Sequence, residues 1–89
     1  MDFPFQQELF GNKIRRTFSP EVDSSELKWH QDLKDRRVKI LQNGGWSYQP
    51  ENELPTKLSD GQELWIPKFA WHRVLKGNEP LLIEIEEFD

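Results

Sequence analysis

Two histidines and an aspartate are the residues whose types and spacing could bind a metal ion. His30 and Asp32 are two positions apart, so on a β-strand their side chains would point to the same side. His72, the other histidine of the chain, could join them from a facing strand. Two imidazoles and one carboxylate form the donor set of the facial triad, which holds ferrous iron and similar divalent ions with open positions.

Arg36 introduces a permanent positive charge four residues after Asp32. An inward guanidinium would oppose a divalent cation, where a carboxylate would normally help to neutralise it. One alternative is therefore structural: Asp32 pairs with Arg36 or Lys34, and backbone carbonyls satisfy the two histidines. In another, Arg36 stays unpaired and recognises a carboxylate or phosphate of a small ligand.

The stretch before His72 has the pattern of a turn, a strand and a rigid corner. Asp60-Gly61 predicts a turn, because glycine accepts a positive φ and aspartate can bond to its own backbone. Residues 64–66 form a short apolar run, and Pro67 ends that strand because proline donates no ladder hydrogen bond. We therefore expect His72 at the start of the next strand.

Residues 38–41 predict a strand that stops at Asn43-Gly44, a strong hairpin signal between two apolar runs. We expect residues 46–49 to be the returning strand, with Trp46 and Tyr48 on one face. These two aromatic side chains could form a wall of a pocket for sugars or planar ligands. The alternative, which we favour for most of the tryptophans, is packing in the core or in an interface; they are Trp29, Trp46, Trp65 and Trp71.

Strand periodicity also predicts which arginine near Asp32 faces inward. Arg36, Val38 and Ile40 share one face of the predicted strand, whereas Arg37 and Lys39 share the other. If the two apolar residues face the core, Arg36 is the arginine inside.

The remaining segments complete an all-β pattern. Residues 13–18 alternate as a half-buried strand, and residues 81–86 alternate as a strand with an acidic outer face that ends in a solvated tail. Residues 3–10 could be a strand or a helical turn, and residues 27–32 predict a strand, with a short helical turn at 24–26 as the competing interpretation. Seven or eight short strands favour a sandwich or barrel.

Composition limits the classes of function. The chain has 89 residues, which suits a single domain with one small core, and its aromatic residues supply buried area although only 35% of residues are hydrophobic. A net charge of −4 argues against nucleic acid as a partner. The absence of cysteine excludes disulfides and thiol chemistry. With no apolar run of bilayer length and no signal-type N-terminus, we expect a cytoplasmic protein without membrane contact.

The order of these signals resembles the cupin superfamily, and Gly61, Pro67 and His72 match its second motif at the expected spacing. Phe69 stands where glycine is usual in that motif, and Lys76 stands where asparagine is usual.

The first cupin motif is matched by His30 and by the Asn43-Gly44 turn at its end. Asp32 stands in place of the second histidine, and Arg36 or Arg37 stands in place of the glutamate. The pattern His-x-Asp with a distal histidine also resembles the Fe(II)/2-oxoglutarate oxygenases, which are usually much longer.

The resemblance implies a small RmlC-like cupin: a double-stranded β-helix or jelly-roll barrel over about residues 26–85, with residues 1–25 packing against it in one domain. It implies a small-molecule ligand in the barrel, with a divalent ion such as Fe, Mn, Ni or Zn acting as Lewis acid or oxygen-activating centre. The implied metal ligands are His30, Asp32 and His72, and the ligand-binding candidates are Arg36, Trp46 and Tyr48. A metal-free binding or assembly module and a homodimer remain open, and no catalytic residue is assigned.

Overall fold

The computed structural model describes residues 3–89 as two antiparallel β-sheets. The first sheet has five strands in the order β1-β2-β8-β3-β6, and the second has three in the order β5-β4-β7. The strands are β1 Gln6–Phe10, β2 Lys13–Phe18, β3 Asp35–Gln42, β4 Ser47–Pro50, β5 Thr56–Lys57, β6 Glu63–Ile66, β7 His72–Leu75 and β8 Leu81–Phe88. This confirms the all-β prediction.

The core lies on the inner face of the five-stranded sheet and is closed by residues from the second sheet. Alternation along the two central strands places Val38 and Ile40 of β3, and Ile83 and Ile85 of β8, inward and buried. The other buried apolar residues are Phe18, Trp46, Leu58, Ile66 and Leu81. Each strand that was predicted from alternation therefore contributes to one contiguous core.

The outer face of the same sheet is charged and paired. Glu84 accepts a hydrogen bond from Arg15, with Nε–Oε2 at 2.9 Å, and lies 3.6 Å from the Lys13 ammonium. Glu86 pairs with Arg37 at 2.8 Å. The acidic outer face predicted for the last strand is thus present, and its carboxylates are neutralised by neighbouring strands.

The predicted hairpin of residues 38–49 is wrong. The turn at Asn43-Gly44 exists, and Trp46 N–H donates to the Asn43 carbonyl at 2.9 Å. However, β3 is already flanked by β8 and β6, so neither of its edges is free for β4. The turn instead carries the chain from the first sheet to the second.

Residues 27–32 also differ from the predicted strand. A short 3₁₀ turn, Ser24–Glu26, precedes them, as the competing interpretation held; Asp23 caps it by accepting a hydrogen bond from Ser25 N–H. The following residues form only an isolated bridge between His30 and His72. The tail was wrongly predicted to be solvated from residue 86, because Glu86, Glu87 and Phe88 belong to β8.

The N-terminal segment adds strands to the first sheet. β2 pairs with the central strand β8, and β1 pairs with β2 and forms an edge whose residues are all exposed. Among the tryptophans only Trp46 is in the core, whereas Trp29, Trp65 and Trp71 are exposed. Over residues 3–89, no helix has the length and apolar character needed to cross a membrane.

Strand register gives the barrel two distinct ends. At one end, β3 begins at Asp35 opposite Phe88 of β8, and β7 begins at His72 opposite Pro50 of β4. We call this the site end. At the other, which we call the closed end, β3 leaves through the Asn43-Gly44 turn and β8 begins.

Candidate functional site

His30, Asp32 and His72 converge at the site end. One potential ligand atom from each lies within 4.8 Å of the others. The bridge between the two histidines fixes this arrangement: His30 N–H donates to the His72 carbonyl at 3.0 Å, and His72 N–H donates back at 2.9 Å. The two rings lie edge to face, with centroids 4.2 Å apart.

A tight turn between β6 and β7 supports both Asp32 and His72. Ala70 N–H donates to the Pro67 carbonyl at 3.2 Å, and Phe69 N–H donates to the Asp32 carbonyl at 2.8 Å. Phe69 has a φ of 67°, which is the left-handed conformation that glycine adopts without penalty. Phe69 therefore stands where glycine is usual in the cupin motif while keeping a backbone conformation that favours glycine.

Both imidazoles are oriented by backbone carbonyls. His30 Nδ1 lies 3.1 Å from the Lys28 carbonyl, and His72 Nδ1 lies 2.8 Å from the Ala70 carbonyl. Because a carbonyl only accepts hydrogen bonds, each Nδ1 carries a proton, and a ring in its neutral form then keeps a lone pair on Nε2. This is the tautomer that binds metal through Nε2.

The Asp32 carboxylate faces these lone pairs. Its Oδ1 lies 3.9 Å from His30 Nε2, and its Oδ2 lies 3.4 Å from His72 Nε2. Oδ2 is buried and has no hydrogen-bond partner within the described residues. A buried carboxylate oxygen without a donor is costly, and a cation between these atoms would remove that cost. The donor set therefore fits a divalent ion.

Burial lowers the pKa of His72 below its usual value, and the neighbouring His30 and Arg36 lower it further, against the Ala70 carbonyl and Asp32. The ring is consequently neutral at neutral pH, which preserves the lone pair that faces Asp32.

Arg36 is inward, as strand periodicity predicts, but it is not free. Its Nη1 lies 3.1 Å from Asp32 Oδ1, and its Nε and Nη2 donate to Glu87 Oε2 at 3.1 and 2.8 Å. The alternative with an unpaired Arg36 is therefore wrong. Glu87 stands directly opposite Arg36 on β8, so two carboxylates face one guanidinium and the cluster keeps one net negative charge.

A cavity of about 380 Å³ lies beside this cluster, within the usual range for small-molecule sites. Most of its lining is apolar. Its polar wall includes the three candidate metal ligands together with Arg16, Arg36 and Tyr48. Burial raises the pKa of Tyr48, as do Glu53 and Asp32, so its hydroxyl stays protonated as a potential donor, and its ring lies 5.9 Å from that of His72.

The three ligand-binding candidates have different positions. Arg36 and Tyr48 line the cavity, whereas Trp46 does not. Trp46 is fully buried against Phe18, and its indole N–H donates to the Glu79 carbonyl at 2.6 Å. Its place immediately after the inter-sheet turn directs it into the core rather than towards the cavity.

Arg16 is the cavity residue that the sequence interpretation missed. It stands opposite Ile83 on β8 and so shares the inner face with it. The signal was present, because the alternation of residues 13–18 places Arg16 on the same face as Ile14 and Phe18. The strand-periodicity argument that placed Arg36 on the inner face also places Arg16 on the inner face.

Comparison with solved structures supports the cupin fold. No protein-family model and no curated protein matches the sequence. An RmlC-like cupin from Methanocaldococcus jannaschii aligns with a TM-score of 0.71 at 11% identity, covering 97% of this chain and 82% of that one. A cupin domain from Bordetella pertussis aligns with a TM-score of 0.65 at 17% identity, covering 100% and 99%.

The DMSP lyase DddQ from Ruegeria pomeroyi aligns with a TM-score of 0.71 at 17% identity, covering 86% of this chain. This chain spans only 38% of that lyase. At such identities the likeness concerns the fold. The chain has the double-stranded β-helix fold of the cupins, as its sequence motifs predict.

Proposed function

We propose that this protein is a metal-binding cupin that holds a small molecule in its barrel, with His30, Asp32 and His72 as the metal ligands. The observation that carries the proposal is the Asp32 Oδ2 atom, which is buried, has no hydrogen-bond donor in the part of the chain that the structure describes, and faces the neutral His72 imidazole. The DMSP lyase among the structural neighbours is consistent with small-molecule chemistry on this fold.

When bound, a divalent ion of the Fe, Mn, Ni or Zn class supplies a Lewis acid or an oxygen-activating centre. The chain's own residues have separate roles around it. Arg36 holds Asp32 through Oδ1 and leaves Oδ2 for the ion. Tyr48 lines the cavity and keeps a protonated hydroxyl, and the mostly apolar lining suits the apolar part of a bound molecule.

Metal titration of the full chain tests this proposal. Protein freed of metal with chelator and then dialysed is titrated with Co²⁺ or Zn²⁺, and metal content is measured by mass spectrometry. We expect one ion per chain, and a loss of binding of at least tenfold in Asp32→Asn and His72→Ala. Asp89→Asn is the matched control, because that carboxylate is 94% exposed and pairs with Lys34. Equal binding by all variants, or no metal at any loading, would overturn the proposal.

A second candidate is a metal-free binding or assembly module, favoured by the Asp32–Arg36 pair at 3.1 Å. In that pair the Arg36 guanidinium supplies a positive charge next to Asp32, which a metal ion would otherwise supply. On this hypothesis added metal leaves the melting temperature unchanged while a small molecule or a second copy still binds. Sedimentation velocity over a concentration series measures the association, since the exposed Trp65 packs against the partly buried Phe88, with ring centroids 5.6 Å apart, and a dimer could form on this pair.

A further inference from the structure

We propose that the molecule in the cavity is a small monocarboxylate with an apolar body, and that Arg16 binds its carboxylate. The inference deepens the proposed function and rests on its claim that the barrel holds a small molecule. It does not require the metal. Three observations support it: the contacts of Arg16, the pairing of Arg36 with two carboxylates, and the composition of the cavity wall.

Arg16 is a cavity guanidinium held in place by uncharged groups. Its Nε donates to Gln7 Oε1 at 2.8 Å, where Gln7 is the residue opposite on β1. Its guanidinium lies 4.1 Å from the centre of the Phe5 ring, which covers one face. Within residues 3–89 no carboxylate lies within salt-bridge distance of it. Both terminal amino groups therefore remain available for a carboxylate, which they can bind in a bidentate manner.

Arg36 differs although it lines the same cavity. Its guanidinium already donates to Glu87 and pairs with Asp32. An anion at Arg36 would have to compete with two carboxylates, whereas an anion at Arg16 would meet a cation with no charged partner in the described chain. The geometry therefore favours Arg16 as the counter-ion.

The electrostatic surroundings agree with this assignment. Burial, followed by the Arg36 guanidinium, lowers the pKa of Arg16 to about 10, against the opposing effect of Asp32 and Glu87. Arg16 is still protonated at neutral pH, and its charge is incompletely compensated. A bound carboxylate would supply the missing compensation in a site of reduced solvent access.

The cavity wall sets the remaining chemistry of the ligand. The lining is mostly apolar, with Leu27, Val74 and Ile83 among its side chains. Its other charged residues are Asp32 and Arg36, which pair with each other, and Glu26 and Lys28, which are exposed and of opposite sign. Within residues 3–89, Arg16 is the lining guanidinium without a carboxylate partner, and it matches one negative charge on an apolar body and disfavours phosphates of higher charge.

Calorimetric titration with a matched pair of probes tests the ligand class. Octanoate and its neutral analogue octanamide are titrated into the full chain, both after chelator treatment and after loading with Zn²⁺. We expect octanoate to bind at least tenfold more tightly than octanamide in both forms, because a charge-assisted hydrogen bond is the difference between them. Equal affinity for the two probes, or no binding of octanoate, would overturn the inference.

Variants on one strand then test the residue. Arg16→Gln should weaken octanoate at least tenfold and leave octanamide unchanged. Arg15→Gln is the control, since Arg15 is the next residue on the outer face and pairs with Glu84; it should bind octanoate as the parent does. Arg16→Lys keeps the charge without the planar fork and should recover part of the affinity. If circular dichroism shows that Arg16→Gln is unfolded, the affinity of Arg16→Lys for octanoate and the comparison of octanoate with octanamide still test the inference.

The two proposals fail in distinguishable ways. If octanoate binds the chelator-treated protein through Arg16 but no metal binds, the metal site is wrong and the ligand class stands. If octanoate binds only with Zn²⁺ and Arg16→Gln has no effect, the carboxylate is bound by the metal, and the assignment to Arg16 is wrong.

Discussion

The two ends of the barrel satisfy their polar groups to different degrees. At the closed end, the Gly44 carbonyl accepts hydrogen bonds from Asn78 N–H and Glu79 N–H, both at 3.1 Å. The Asn43 side chain and backbone both donate to Asp60 Oδ1, at 2.7 and 2.9 Å, and the Trp46 indole donates to the chain at Glu79. Each of these groups has a partner within the protein.

The site end contains two imidazoles, a cavity and a buried carboxylate oxygen that has no donor among residues 3–89. Buried polar groups are almost always satisfied in folded proteins, and exceptions concentrate at functional sites. On the proposed function, the closed end contributes mainly to stability, whereas the site end is arranged to bind a metal ion and a small molecule. Four predictions test that division.

Gly44→Ala should have the largest effect on stability. A Cβ at Gly44 would lie in hard contact with the carbonyl oxygens of Glu79 and Pro80, and φ there is +57°. We expect a loss of about 4 kcal/mol in the free energy of unfolding, measured with urea, because backbone must move on both sides of the contact. Gly11→Ala is the control: its φ is similar, +61°, but nothing lies within 4 Å of the added atom, so only the conformational cost of about 1 to 2 kcal/mol applies. Similar losses in the two variants would contradict the close packing of the closed end.

Trp46→Phe should cost about 2 to 3 kcal/mol. It removes volume from a fully buried site and leaves the Glu79 carbonyl without its indole donor. Trp65→Phe provides the comparison, since Trp65 is 56% exposed, and it should change stability by less than about 0.5 kcal/mol. If Trp46→Phe also leaves metal affinity unchanged, the division between the two ends holds; a parallel loss of metal binding would show that they are coupled.

The metal-free protein should lose stability in acid because of the site end. Burial lowers the pKa of His72 in the folded protein, whereas the pKa of a histidine in the unfolded chain is about 6.5. Between these two values the unfolded chain binds the extra proton, so the free energy of unfolding falls as the pH drops below about 6.5, by at most about 1.4 kcal/mol per pH unit. Urea titrations from pH 7.5 to 5 measure the slope. The titratable groups around His72 are His30, Asp32, Arg36 and Tyr48. His72→Gln removes the imidazole and should therefore reduce the slope of the free energy of unfolding against pH. If the slope is unchanged, another group causes the loss of stability in acid.

Local sequence patterns predicted much of this molecule because they act over a few residues. Alternation placed Arg36, Val38 and Ile40 inward, and Pro67 marked the end of β6. The pairing of β3 could not be read from the Asn43-Gly44 turn, because a turn signal does not state which strand already occupies the neighbouring edge.

At the candidate site, too, local sequence patterns identified residues but not the long-range contacts between them. The types and spacing of His30 and Asp32 suggested a shared ligand set, although the reason given was wrong: residues 27–32 form no strand, and the bridge to His72 brings them together. The Arg36–Glu87 pair depends on the register between β3 and β8, which are far apart in sequence. The inward orientation of Arg16 was predictable from alternation, but the lack of a carboxylate partner for Arg16 among residues 3–89 depends on the folded structure around it.

The smallest effect concerns the left-handed positions at the two ends. Gly44 and Gly45 at the closed end have φ values of 57° and 81°, and at the site end Phe69 adopts a φ of 67° although it is not glycine. Phe69→Gly should relieve about 1 to 2 kcal/mol of local strain and lose about 0.5 to 1 kcal/mol through the greater freedom of unfolded glycine. We therefore expect a net gain of about 0.5 kcal/mol in urea unfolding. Lys68→Gly, one residue earlier and without a positive φ, should only lose stability.

Metal titration of Phe69→Gly then decides why the strain is present. The Phe69 N–H holds the Asp32 carbonyl, and Gln31 donates its side-chain amide to the Phe69 carbonyl at 2.9 Å, so this turn fixes the position of a proposed metal ligand. Strain retained at a functional site is expected to serve that site. If Phe69→Gly is more stable than the parent and binds metal more weakly, the strained turn positions Asp32. If its stability falls as in Lys68→Gly, packing of the Phe69 side chain outweighs the backbone strain. The contrast in backbone strain between the two ends then does not hold.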